Sequence, residues 1–181
     1  MLTICDDLDI LNNFNDNLCI NPTLVTNRLC NLYEEQWKRD TNIIPKLRFY
    51  NIFKTNYATE YYLKHISNRS VRSVFAQFRL GILPLSIETG RYQDIPIEYR
   101  YCLYCNQDCI ESEIHFMLYC DRYNFLRYEL FNEVRSKCIS IDYIEPEDKV
   151  KILMSEEFLK FTIKFIYDSF MLRKGLTYEN L

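Results

Sequence analysis

The sequence predicts a mainly α protein, and three observations carry that reading. Of 181 residues, 48% are apolar and 15% aromatic, enough to bury the core of one ordinary domain or two small ones. The chain holds only three glycines and five prolines, too few for an all-β sandwich, which needs a turn about every 8 to 12 residues. Apolar residues also recur at helical spacing, most clearly at Val71, Val74, Phe75 and Phe78.

The elements follow in order. After a start rich in Asn and Asp, Thr23 is placed to cap a helix bearing Leu24, Val25, Leu29, Leu32 and Tyr33. Pro45 suits the first turn of a shorter helix that carries Leu47, Tyr50 and Phe53. "SNRSVRSVFAQFRLG" is the clearest helix, with Ser67 or Ser70 as its cap and Gly81 just beyond its end. "PLSIETG" adds a short helical turn closed by Gly90. Residues 91–112 have no helical period and read as loop or a small hairpin. Ser112 then caps a helix through "SEIHFMLYC", and Asp121 caps the next, with Phe125, Leu126, Leu130, Phe131 and Val134 inward. Two further helices, over about 146–154 and 157–174, end at Gly175. A boundary near residue 65 divides an N-terminal helical extension, 1–65, from a helical domain, 66–181.

Net charge is −3, unevenly spread. Residues 1–37 hold one Lys or Arg against six acids, residues 38–80 nine against two, and residues 81–181 twelve against seventeen. A polyanion meets local charge, so the basic middle matters more than the sum. The amino terminus is acidic where a signal peptide is basic, and no run approaches the roughly 18 apolar residues of a membrane span. The expectation is an intracellular protein, nuclear or cytoplasmic, with no membrane partner. There a reducing environment makes clustered cysteines metal ligands or free thiols rather than disulfides.

The cluster lies in "YCLYCNQDCIESEIHFMLYC", with the spacing Cys102-x2-Cys105-x9-His115-x4-Cys120. Two thiols separated by two residues point at one ion from a tight knuckle, and the second pair arrives from further along the chain, which is a zinc arrangement. Positions i and i+5 of an α-helix lie about 140° apart, so His115 and Cys120 cannot face one ion from a continuous helix. Cys120 must therefore sit where the helix ends. Three thiolates and one imidazole close a tetrahedral Zn2+ site with no open position, so the site is structural rather than catalytic. The predicted fold is thus a small helical domain with a CCHC-type zinc knuckle inserted between helices. Cys109, in the same loop, is either a substitute ligand or a bystander, and a core of apolar cysteines around a satisfied histidine is the bland alternative. A nucleophilic Cys–His pair lacks any third orienting group.

With those residues in view, "SVFAQFRLGILPLSIETGRY", "RYCLYC" and "IESEIHFMLYCDRYNFLRYELF" resemble the zinc-binding region that follows the reverse transcriptase in LINE-type, non-long-terminal-repeat retrotransposons. The matching positions are Arg79 and Gly81, Cys102 and Cys105, Glu111 and Ser112 before His115, then Cys120 and Arg127. The likeness spans about residues 45–175, with its core at 70–131. It departs at Asp121, where the family often has Pro, and in lacking any Tyr-x-Asp-Asp polymerase motif or endonuclease acids. The resemblance implies a noncatalytic carboxy-terminal fragment of the element's protein. Its partners would be template RNA or target DNA, or the rest of the parent protein.

Arg69, Arg72 and Arg79 are read as one stripe opposite the apolar face of their helix, followed by Arg91 and Arg100. Together they are the candidate nucleic-acid contacts, with Tyr92, Tyr99 and Tyr101 near enough for bases to stack. A solvated helix face produces the same stripe. The other reading is a helical protein–protein interaction module in which zinc is only a staple.

Overall fold

A computed structural model describes residues 22–105 and 107–175. The chain divides after Ile44 into two compact units. The first contributes one described helix, α1 (Pro22–Ile43), with Thr41 Oγ1 bonded back to the carbonyl of Trp37 at 2.9 Å.

The second unit is helical, with no strand among its described residues. It runs from a 3-10 turn (Pro45–Arg48) through α2 (Tyr50–Phe53), α3 (Tyr61–His65), α4 (Arg69–Arg79) and α5 (Ser86–Tyr92). After the hairpin come α6 (Asn124–Arg135), α7 (Pro146–Leu153) and α8 (Leu159–Arg173). Helix α8 packs against α4 and α6, and α2 packs against α7. Val74, Phe75 and Phe78 of α4 meet Ile163, Ile166 and Phe170 of α8 in one core with Leu130 and Val134 of α6. Fully burying such a side chain contributes about 1.5 to 3 kcal/mol, which fixes the helices that carry the hairpin.

Local chemistry shifts several expected ends. Asn68 caps α4, its Oδ1 accepting from the N–H groups of Ser70 at 2.9 Å and Val71 at 3.3 Å, because the serines on either side fall outside the Ncap position. Gly81 does end the helix: its φ is +65°, and a Cβ there would meet the Lys46 carbonyl oxygen at 2.4 Å. Gly90 does not close α5 but lies within it, where a Cβ would stand 2.7 Å from Cγ of Arg100. Thus this glycine serves close packing rather than a turn.

Residues 101–105 and 107–110 pair as the small hairpin. Tyr101 and Ile110 make one antiparallel bridge, Cys102 N–H donates to the Cys109 carbonyl at 2.9 Å, and Glu111 N–H donates to that of Arg100 at 3.0 Å. No described helix is long and apolar enough to cross a membrane.

Candidate metal centre

The hairpin delivers Cys102 and Cys105. The other two expected ligands come from an unusual piece of helix. Residues His115–Tyr119 form a π-helical turn, and Cys120 N–H reaches back five residues to the His115 carbonyl at 2.8 Å. Such i→i+5 bonding brings residues five apart over one another, which an α-helix does not. Cys120 itself has left the helix, with φ −59° and ψ 120°, and a 3-10 turn (Asp121–Tyr123) leads into α6. The chain therefore breaks at Cys120 as expected, but Asp121 does not cap the break. Its Oδ1 instead accepts from the Asn124 side-chain amide at 3.3 Å.

One ligand atom each from Cys102, Cys105, His115 and Cys120 lie within 4.8 Å of one another. The Sγ atoms of Cys102 and Cys120 are 3.8 Å apart, and Cys105 Sγ is 3.4 Å from His115 Nε2. Zinc bonds of about 2.3 Å to sulfur and 2.0 to 2.1 Å to nitrogen give tetrahedral edges of about 3.8 Å between sulfurs and about 3.6 Å from sulfur to nitrogen. Those two edges match a tetrahedral ion, and three thiols with one imidazole are a zinc-type donor set. Cys109 is not in this cluster. It nonetheless lies against the imidazole, its Sγ 3.1 Å from Nδ1 and 3.8 Å from Nε2. The six described cysteines form no disulfide; Cys30 is exposed and Cys138 half-buried, while Cys5 and Cys19 lie outside the described residues.

Burial sets the protonation of the ligand groups. It pushes the Cys102 and Cys120 thiols up from their ordinary value and holds the His115 imidazole down, so these groups favour their neutral forms. A cation must displace thiol protons to bind there.

Around the ligands stands a charged shell that includes Glu111 and Arg127, two of the positions in the resemblance. Glu111 is fully buried and 3.7 Å from Cys102 Sγ. Its Oε2 accepts from Ser86 N–H and Ser86 Oγ, both at 2.7 Å, and its carboxylate is clasped by the Arg173 guanidinium from the end of α8. Arg173 also donates to the Pro84 carbonyl at 2.9 Å and lies over the Tyr104 ring. Ser112 Oγ accepts from His115 N–H at 3.1 Å, so Ser112 does cap the turn that carries the histidine. Arg127, buried on α6, donates to the carbonyls of Met117 at 2.9 Å, Phe116 at 3.3 Å and Cys120 at 2.8 Å, the last of which also accepts from Tyr123 N–H at 3.1 Å.

The five candidate arginines do not form one surface. Arg69 is exposed and Arg72 half-buried on α4. Arg79 is 4% exposed and lies between the rings of Tyr50, Phe53, Tyr62 and Phe75, its guanidinium 2.7 Å from Glu60. It is thus a core residue and no part of the solvated stripe. Position 79 is one helical turn beyond Phe75, on the same face, and that spacing was the available signal. Arg100 donates to the carbonyls of Ile95 at 2.8 Å and Ile87 at 2.7 Å, pinning the hairpin to α5 rather than facing solvent. Arg91 is exposed but paired with Glu88 at 2.7 Å.

No protein-family model, curated protein or solved structure matches the chain.

Proposed function

We propose that this chain is a noncatalytic zinc-binding module that associates with RNA or DNA, as its resemblance to the region after the reverse transcriptase of LINE-type retrotransposons implies. The convergence of Cys102, Cys105, His115 and Cys120 within 4.8 Å carries the zinc half of the reading. In that reading three thiolates and a neutral imidazole close the coordination shell, and the ion's contribution is to folding. Apparent binding energies of about 10 to 16 kcal/mol for such sites exceed what a short hairpin with one bridge supplies for itself. Elemental analysis of the purified chain tests it: about one zinc per chain is expected, and a Cys102→Ser, Cys105→Ser double variant is expected to lose it.

Exposed Arg69, half-buried Arg72 and the tyrosines Tyr92, Tyr99 and Tyr101 support the nucleic-acid half. The affinity for a single-stranded RNA would then fall with salt, and Arg69→Gln with Arg72→Gln would flatten that slope. One observation favours the second reading, a helical protein–protein interaction module with a purely structural zinc site. Arg79, Arg91 and Arg100 are engaged within the fold, and Ile97, Tyr99, Leu103 and Tyr104 are exposed beside the hairpin. Binding to RNA that is absent at all salt concentrations would select it.

A further inference from the structure

We propose that the groove between α6 and α8 is a docking site for a basic amphipathic helix of a protein partner. The proposal rests on neither the zinc site nor nucleic-acid contact. Both walls of the groove carry the same pattern at helical spacing. Leu126, Glu129, Leu130 and Glu133 form one stripe of α6, and Phe161, Lys164, Phe165 and Asp168 form the facing stripe of α8. Between them lies a groove of about 360 Å3. Leu130 and Phe165 are buried, and Leu126 and Phe161 beside them are half-buried, so the apolar surface lies at the base and along the length of the walls. An amphipathic helix lays its apolar row into such a groove, and the 12 residues of α6 give it about three turns to lie against.

Charge selects the visitor. Three carboxylates, those of Glu129, Glu133 and Asp168, line the groove against one ammonium, that of Lys164, which leaves it at −2. Lys164 is mostly exposed and divides itself between Glu129 Oε2 at 3.4 Å and Asp168 Oδ2 at 3.2 Å, while Glu133 has no cation partner among the described residues. Asp168 is only 7% exposed, and its Oδ2 has no hydrogen-bond partner, because Lys164 lies off the angle that such a bond needs. A carboxylate oxygen buried without a donor is costly, and a guanidinium lowered into the groove supplies the donor. Arginine suits the place because its planar fork can reach more than one acceptor, here Asp168 and Glu133.

Fluorescence anisotropy of the full chain as purified tests this, with a labelled helical peptide of about 15 residues that carries leucines at helical spacing flanked by arginines. One control peptide has glutamates in place of the arginines, and a second has alanines in place of the leucines. Saturable binding of the leucine–arginine peptide alone is expected. Nitrogen-15 NMR of the wild type, which needs no variant to fold, is expected to place the perturbed amides on α6 and α8. Asp168→Asn, nearly the same in shape, is expected to weaken the peptide about 30-fold or more while leaving thermal stability unchanged or higher. Lys164→Gln, which removes the competing cation, is expected to tighten it. No binding, equal binding of the glutamate peptide, amide shifts outside the groove, an unchanged affinity in Asp168→Asn, or displacement of the peptide by a single-stranded RNA overturns the proposal.

Discussion

Cys120 and His115 are joined through the backbone, the N–H of one to the carbonyl of the other at 2.8 Å, and that single five-residue bond sets both side chains on one site. The bond costs the chain its regular α-helical pairing, and the guanidinium of Arg127 takes up the carbonyls left over at Phe116 and Met117 while also bonding that of Cys120.

Arg127→Met is expected to strand the buried carbonyls of Phe116 and Met117 and to destabilise the zinc-loaded chain by about 2 kcal/mol or more, since each unsatisfied group costs roughly 1 to 3 kcal/mol. Chemical denaturation measures the loss. Arg127→Lys restores only part of it, because one ammonium cannot span three acceptors as a planar guanidinium does.

Arg173 and Glu111 form the matching test on the other side of the site. Arg173→Met leaves a fully buried carboxylate without its cation, beside a sulfur that carries negative charge when metal binds. The expected cost is about 3 to 5 kcal/mol. Adding Glu111→Gln is expected to return a large part of it, a coupling that a double-mutant cycle reads directly.

Acidity supplies a third prediction. Burial raises the Cys102 and Cys120 thiols above their ordinary value of 9.0, so in the metal-free chain both hold their protons at neutral pH. Zinc uptake at pH 7 therefore releases at least these two protons, and apparent affinity climbs with pH. Calorimetry in buffers of different ionisation enthalpy counts them. Without metal the sign is the reverse: neutral thiols are favoured by the fold, so their contribution is fully present below about pH 9 and is lost as pH rises further. Chelated protein is expected to weaken in alkali while zinc-loaded protein does not.

Arg79→Met is expected to act on stability and not on nucleic-acid contact. Removing a guanidinium enclosed by four aromatic rings costs about 2 to 4 kcal/mol, moderated because Lys54 remains 2.9 Å from Glu60. Thermal unfolding detects this loss, while the salt slope of the folded fraction on RNA stays that of the wild type.

Much of this was legible in the sequence because it follows from period and spacing. The sparse glycines and the face of Val71, Val74, Phe75 and Phe78 foretell helices, and the interval from Cys102 to Cys120 foretells four ligand atoms in one place. What was not legible depends on tertiary partners. Glycine at 90 marks a turn in a local pattern, and only the passage of Arg100 shows it to be a contact. An α-helix is the default period, so a π-turn at 115–119 emerges only once Arg127 is seen to hold its carbonyls. Spacing alone also gives Cys109 the same standing as Cys105; which of the two thiols gathers with Cys102, His115 and Cys120 is a property of the folded hairpin.

X-ray absorption at the zinc edge tests the central claim most directly. A site built from Cys102, Cys105, His115 and Cys120 predicts three sulfurs at about 2.3 Å and one nitrogen at about 2.0 Å in the first shell. A shell of oxygen and nitrogen, or of four sulfurs, would contradict it.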